Sequence, residues 1–350
     1  MAVKSRFAYE RNLYQKPQIN LARSSGIRIW MVNATCFAVI LQSSLTDSFS
    51  SMTVALGAVT AALITELFFL RNSDKSGSLL DGSAIAAALV MTLFLPNNIS
   101  PFYAAIGSVF AIAIVKHSFG GLGSVWLNPA IGGWLFIRFS WAEQFNRAME
   151  SSYLTLSING SGFFPINSSL DGTVLPFLNR TLFSISSTGF SEGYLGLLNS
   201  PYAGIIADRG ALSLLLGTIL IIVFRAGRSW VPLLYLLVFC FFYRLRGAIP
   251  YGGNSGEGDL FYVLFTGGTW AAAFFLAAET GGGAKSRLGV LALTVFGAFA
   301  AFLFRSSVNE AYGVVYAALL ISTITPLVRI MENRVLSINR IKARSGANYV

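Results

Sequence analysis

Long apolar runs alternate with short polar stretches along nearly the whole chain. A helix that crosses a bilayer needs about 20 mostly apolar residues. Ten runs meet or approach that measure, over residues 27–45, 50–70, 82–96, 101–116, 125–141, 210–225, 230–247, 259–279, 287–305 and 311–330. The third and fifth are short and interrupted. The pattern predicts an all-α polytopic membrane protein of about ten transmembrane helices, some of them broken or re-entrant.

The same pattern divides the chain. A basic N-terminal segment over 1–26 precedes a first half of five spans over 27–141. A polar segment rich in Ser, Asn, Gly and Thr fills 142–209. A second half of five spans covers 210–330, and a basic tail follows over 331–350. Loops as long as the central one are usually functional or disordered. Five spans per half is an odd number, so a repeat would be inverted. An echo points to one: "GSAIAAALVMTLFLP" (Gly82–Pro96) lies in span three, and "GTWAAAFFLAAETGGG" (Gly268–Gly283) lies in span eight. The competing account is that small-residue runs recur wherever membrane helices pack closely.

Composition agrees with the pattern. The chain has 350 residues and a mean hydropathy of +0.64, with 54% hydrophobic and only 11% charged residues. Soluble domains carry about 25% charged residues. The bilayer is therefore the main solvent. Residues 1–25 offer no apolar core for a cleavable secretion signal. The net charge of +10 flanks the apolar runs, as topology signals do, so nucleic acid is not the expected partner and membrane lipid is. Most of the 25 lysines and arginines fall on the side that holds both termini. This places the N- and C-termini in the cytoplasm and the central loop outside, with Arg244 and Arg246 as local exceptions.

Residues for soluble-enzyme chemistry are few. Cys36 and Cys240 sit inside apolar runs and read as small buried hydrophobes. His117, the single histidine, follows Lys116 at a span end and reads as interfacial. No His/Cys cluster is present to hold a haem, an iron–sulfur cluster or another metal. Three charges stand within or near spans. Glu66 lies near Arg71 and reads as half of a snorkelling pair. Arg138 either turns outward or meets a phosphate. Glu279 closes a small-residue run and is the best candidate for an ion path or a cofactor contact.

The stretch "KHSFGGLGSVWLNPAIGGWLF" (Lys116–Phe136) spends many helix breakers at membrane depth. It reads as a loop that re-enters the membrane and starts a helix at Pro129, with Asn128 as the cap. Such a helix start favours an anion or a ligand carbonyl. "FTGGTWAAAFF" (Phe265–Phe275) is the matching feature of the second half. Close helix packing is the other account of these glycines.

These residues carry a resemblance. "FGGLGSVWLNPAIGG" (Phe119–Gly133) resembles the signature of the RnfD family, the D-type subunits of the Rnf ion-translocating electron-transport complex. Their relatives are the NqrB proteins, the B-type subunits of the sodium-translocating NADH:quinone reductase. "LDGSAIAAALVMTLFLP" (Leu80–Pro96) and "LFTGGTWAAAFFLAAET" (Leu264–Thr280) resemble the family's third and eighth spans. The resemblance implies FMN joined through its phosphate to a threonine in the loop after span five, attached outside the bacterial inner membrane by a flavin transferase. It leaves riboflavin open as a second flavin. Partners would be the other subunits of a complex that moves electrons and Na+ or H+.

The family's acceptor sits in a Ser-Gly/Ala-Ala-Thr motif. "LDGTVLPFL" (Leu170–Leu178) is the nearest match, with Thr173 as acceptor and Thr181 and Thr188 as rivals. Leu170 and Asp171 depart from the motif. Gly120, Gly121, Asn128, Pro129, Thr266, Gly267 and Gly268 are the implied cofactor contacts at the broken spans. "AETGGG" (Ala278–Gly283) stands where the family shows Thr-Asp-Pro, with Glu279 as the replacement acid. Two other functions compete: a channel or transporter for a small neutral solute, and a flavin-less structural subunit.

Overall fold

The computed structural model describes residues 21–46, 49–71, 81–118, 127–149, 198, 204–224, 229–246, 260–277, 284, 286–307 and 312–346. Among them the chain is helical throughout, apart from turns and one isolated antiparallel contact between Pro96 and Ile205. The first half contains α1 (Leu21–Thr46), α2 (Ser50–Arg71), α3 (Ser83–Leu93), α4 (Pro101–Phe110) and α5 (Pro129–Ser140). A wider π-helical segment, Ala111–His117, continues α4. A helix α6 follows over 142–149. The second half contains α7 (Ile206–Arg209), α8 (Ala211–Val223), α9 (Trp230–Arg246), α10 (Leu260–Phe265), α11 (Thr269–Ala271), α12 (Arg287–Ser307) and α13 (Gly313–Gly346). A second π-helical segment, Ala272–Ala277, continues α11.

Four of these helices are long and apolar enough to cross a bilayer: Gly26–Leu45, Ser50–Arg71, Arg287–Ser306 and Gly313–Arg334. Four further apolar helices are shorter. Large apolar side chains cover the outside, among them Leu45, Ile64, Phe139, Leu237 and Leu288, each more than 60% exposed. A surface this apolar belongs in lipid. This is a multi-pass membrane protein.

The two halves pack alike. In the first, α2 runs along α4, and α4 also packs on α5. In the second, α9 runs along α12, and α12 packs on α13. The halves join where α1 packs against α8 and where α5 approaches α13.

Several elements differ from the sequence pattern, each for a local reason. The third span stops at Leu93, because Phe94 leaves the helix and Pro96 follows. Three hydrogen bonds seal its loose end. Trp134 Nε1 donates to the Phe94 carbonyl at 2.8 Å, Ile206 N donates to the Leu95 carbonyl at 3.2 Å, and Asn97 N donates to the Gly204 carbonyl at 3.3 Å. The fifth span begins at Pro129. The eighth is broken at 266–268. The tenth runs on well past the apolar stretch, making α13 a helix of 34 residues. Near the end of its apolar part Glu332 accepts from the Ser286 amide at 3.0 Å and so holds the start of α12. Residues 142–149 and 206–209 are helical at the edges of a segment that reads as polar loop. Cys36 is buried and Cys240 partly buried, and neither forms a disulfide.

Glycine sets the closest approach of α4 and α5. A Cβ on Gly133 would stand 2.6 Å from the Gly107 carbonyl oxygen and 2.7 Å from Met91 Sδ. One on Gly107 would stand 2.3 Å from Ile137 Cδ1. Small residues that admit a neighbouring backbone are a main source of packing in lipid. Gly133→Ala is expected to cost about 1–3 kcal/mol, read as a lower thermal unfolding midpoint in detergent micelles. Gly26→Ala is the control, since nothing lies within 4 Å of its new Cβ. Equal midpoints for the two variants would show that the α4–α5 contact relaxes freely.

Candidate functional site

Both halves contain a helix start made from the same parts. In the first half Gly82 takes the left-handed conformation (φ 71°) as the N-cap of α3, and Ser83 follows it. In the second half Gly268 does the same (φ 65°) as the N-cap of α11, and Thr269 follows. Only glycine adopts this conformation readily, so the glycine at each start is a backbone requirement. At each start a cation from a later helix reaches the hydroxyl. Lys116 Nζ donates to Ser83 Oγ at 2.9 Å, and Arg305 Nη1 donates to Thr269 Oγ1.

Each cation has a carboxylate in its surroundings. Lys116 Nζ also donates to Glu66 Oε1 at 2.7 Å, and both side chains are at least 90% buried. His117 Nε2 is 2.9 Å from Glu66 Oε2, and its ring stacks on Phe69 at 4.5 Å. Glu66 is therefore not paired with Arg71, as the spacing along α2 suggests. Its partners come from the π-helical end of α4, about 50 positions away in sequence. His117 does lie at a span end, yet it is part of this buried cluster.

The second cluster is built around the break in span eight. Asp208, at the end of the polar segment, accepts from Gly267 N at 2.7 Å and from Gly268 N at 2.8 Å. Arg305 holds the other side of the turn. Its Nη1 donates to the Val263 and Thr266 carbonyls at 2.7 and 2.9 Å, and its Nη2 to Thr266 Oγ1 at 3.2 Å. The guanidinium also faces the Phe239 ring. Both charged residues are buried. The chain thus supplies its own anion to the amides of Gly267 and Gly268. This leaves neither N–H for a cofactor.

At the start of α5, Asn128 Oδ1 accepts from Ala130 N at 2.9 Å and Pro129 occupies the first turn, as its residue order indicates. At the other end of α5, Arg138 does not simply turn outward. Its guanidinium lies 5.3 Å from the Phe145 ring centre and 5.7 Å from that of Tyr312. Arg138 Nε is buried with no hydrogen-bond partner among the described residues. Trp134 completes this aromatic wall, edge-on to Phe145.

Gly120, Gly121, Thr173, Thr181, Thr188 and Glu279 lie outside the described residues. Asp208 and Arg305 are not singled out by the sequence pattern, because each falls in or beside a polar connection. The signal for them is weak: an acid and a base at the edges of apolar runs. No group of His, Cys, Asp and Glu able to hold a metal occurs among the described residues.

Comparison with known proteins adds the family. The model described as the NQR2, RnfD, RnfE family matches residues 12–336. The D-type subunit of a Na(+)-translocating ferredoxin:NAD(+) oxidoreductase complex from Acetobacterium woodii is 28% identical over 294 residues, covering 83% of each chain. The D-type subunit of a proton-translocating ferredoxin:NAD(+) oxidoreductase complex from Clostridium ljungdahlii is 27% identical, covering 79% of this chain and 81% of its own. The D-type subunit of an ion-translocating oxidoreductase complex from Psychromonas ingrahamii is 25% identical over 331 residues, covering 87% and 92%.

The Asp208 arrangement has a direct energetic consequence. Asp208→Ala leaves two buried amides without an acceptor and Arg305 without its counter-charge. Each buried donor left unsatisfied costs about 1–3 kcal/mol. The variant is expected to accumulate poorly and to unfold at a lower temperature in detergent, with Asp208→Asn between it and the wild type. An Asp208→Ala midpoint within about 1 °C of wild type, for an effect expected at several degrees, would show that the turn holds without the carboxylate.

Proposed function

The chain belongs to the NQR2, RnfD, RnfE family, and we propose that it is the D-type membrane subunit of an ion-translocating ferredoxin:NAD oxidoreductase complex. It passes electrons within that complex while Na+ or H+ crosses the bacterial inner membrane. The observation that carries this reading is the family match over nearly the whole chain, with relatives of similar length named as D-type subunits. The chain turns over no substrate alone. Its partners supply the iron–sulfur centres and the nucleotide site.

The architecture is ten spans in two inverted halves, with both termini cytoplasmic. The like packing of the halves supports it, as do the two glycine helix starts with their hydroxyl-bound cations. The central segment is the outer loop, and a flavin transferase attaches FMN to Thr173 there. FMN supplies one- and two-electron transfer. Arg138 fits its phosphate: the residue is cationic, has an unsatisfied Nε and stands just before the loop's first helix, α6. The aromatic wall of Trp134, Phe145 and Tyr312 offers flat surfaces beside it. Asn128, Pro129, Gly120 and Gly121 stay with the flavin region. At Thr266, Gly267 and Gly268 the role moves to holding the span-eight break. Glu279 is the acid assigned to the ion path, and a second, non-covalent flavin is riboflavin.

In-gel flavin fluorescence of the denatured protein, co-expressed with its transferase, tests the cofactor. A fluorescent band is expected in the wild type and its loss in Thr173→Ala. A band that survives moves the acceptor to Thr181 or Thr188. No band in the wild type, with an active transferase, overturns the covalent flavin and leaves a structural role.

A further inference from the structure

We propose that Glu66, Lys116 and His117 form a proton-binding site, in which the His117 imidazole takes up one proton at Nδ1 and the buried Glu66–Lys116 pair accommodates the added charge. Proton uptake here does not depend on the functional reading above; its use in ion-coupled electron transfer rests on that reading.

The first support is the way a lysine and a histidine share one carboxylate. Glu66 Oε1 accepts from Lys116 and Glu66 Oε2 from His117. On an α-helix, residues next to each other in sequence do not point the same way. Here both do, because they close the π-helical segment Ala111–His117. A π-helix winds more residues into each turn, so successive side chains diverge less, and such segments concentrate at functional sites. A purely structural ion pair needs the lysine alone and no such distortion.

The second support is the seat of the imidazole. Glu66 and Phe69 stand one turn apart on α2. One accepts the Nε2 proton, and the other stacks against the ring with the planes only 4° apart. With Nε2–H donated to the carboxylate, Nδ1 is the basic nitrogen. The His117 side chain keeps 20% of its surface exposed, whereas Lys116 keeps 5% and Glu66 10%. The histidine therefore connects the buried pair to the outside of the bundle.

The third support is the chain of hydrogen bonds behind it. Lys116 donates to Ser83 Oγ, and Ser83 Oγ donates to Asp81 Oδ2 at 3.4 Å. Asp81 is exposed. Among the described residues, the charged and titratable groups bonded at the site are thus Glu66 on α2, Asp81 before α3, and Lys116 beside His117. When His117 gains a proton, two cations compete for one carboxylate, and Lys116 can shift its weight toward Ser83 and Asp81. Imidazole plus one proton gives imidazolium, and nothing else changes covalently.

The matching cluster in the second half is a built-in contrast. It has the glycine start, the hydroxyl and a buried cation. That cation is Arg305, which stays charged at any working pH. Among the described residues no histidine accompanies it. The histidine belongs to the first-half cluster alone.

His117 is the single histidine of the chain, so its imidazole nitrogens can be observed alone. The full chain, purified through a histidine-free tag into lipid nanodiscs and labelled with 15N-histidine, is titrated from about pH 5 to pH 9. The ring is expected to pass between the Nε2–H tautomer and imidazolium in this range. Glu66→Gln is expected to change its proton affinity about threefold or more, roughly half a pH unit. Where that variant does not assemble, Glu66→Asp makes the same comparison. A ring that keeps one protonation state throughout, or that titrates alike with and without Glu66, overturns the proposal.

Ion uptake driven by electron transfer is read separately, in proteoliposomes with the whole complex. His117→Gln is expected to flatten the pH profile of uptake. A superimposable profile removes the site from ion coupling. Absence of uptake in the wild-type complex overturns the functional reading and leaves the titration to decide the site.

Discussion

A helix that breaks inside a bilayer exposes backbone groups where no water can satisfy them. Each such group costs several kcal/mol if left alone. This constraint organises the molecule. The end of α3 is closed by the Trp134 indole and by backbone from residues 204–206. The turn between α10 and α11 is closed by Asp208 on the Gly267 and Gly268 amides and by Arg305 on the Val263 and Thr266 carbonyls. The breaks persist because distant parts of the chain are placed to receive them. Residues 204–209 serve both breaks, which explains why the end of a polar segment is buried deep in the protein.

The two halves use one plan with different chemistry. Both begin a helix at a left-handed glycine and both draw a cation onto the next hydroxyl. In the first half that cation is a lysine in a carboxylate bridge shared with histidine. In the second it is an arginine wrapped around backbone carbonyls, suited to several acceptors at fixed angles. Lysine, a compact charge on a flexible stem, suits a site where partners change. Arginine suits a site where they stay.

What can be read from the sequence follows the range of each interaction. The spans are legible from apolar runs, and the Asn128–Pro129 start from local residue order, because both are properties of neighbouring residues. The Gly-Ser/Thr echo between spans three and eight is visible as letters. Its physical content, a positive φ and a borrowed cation, is not. The partners of Glu66 are hidden for a clear reason. Arg71 is close in sequence and looks sufficient, whereas Lys116 and His117 reach Glu66 only after α2 and α4 pack. Asp208 and Arg305 are likewise invisible, since each meets its partners across 36 to 60 positions.

The long final helix has a mechanical side. About 20 residues suffice to cross the hydrocarbon, and α13 has 34. The remaining residues, at 1.5 Å each, make a shaft roughly 20 Å long beyond the apolar part. Pro326 lies inside this helix and removes one of its backbone hydrogen bonds, a place where it can bend. Glu332 pins its root to the first residues of α12, so the shaft is geared to the helix that carries Arg305 at its far end. That bond ties the long helix, through α12, to the turn that Asp208 and Arg305 hold.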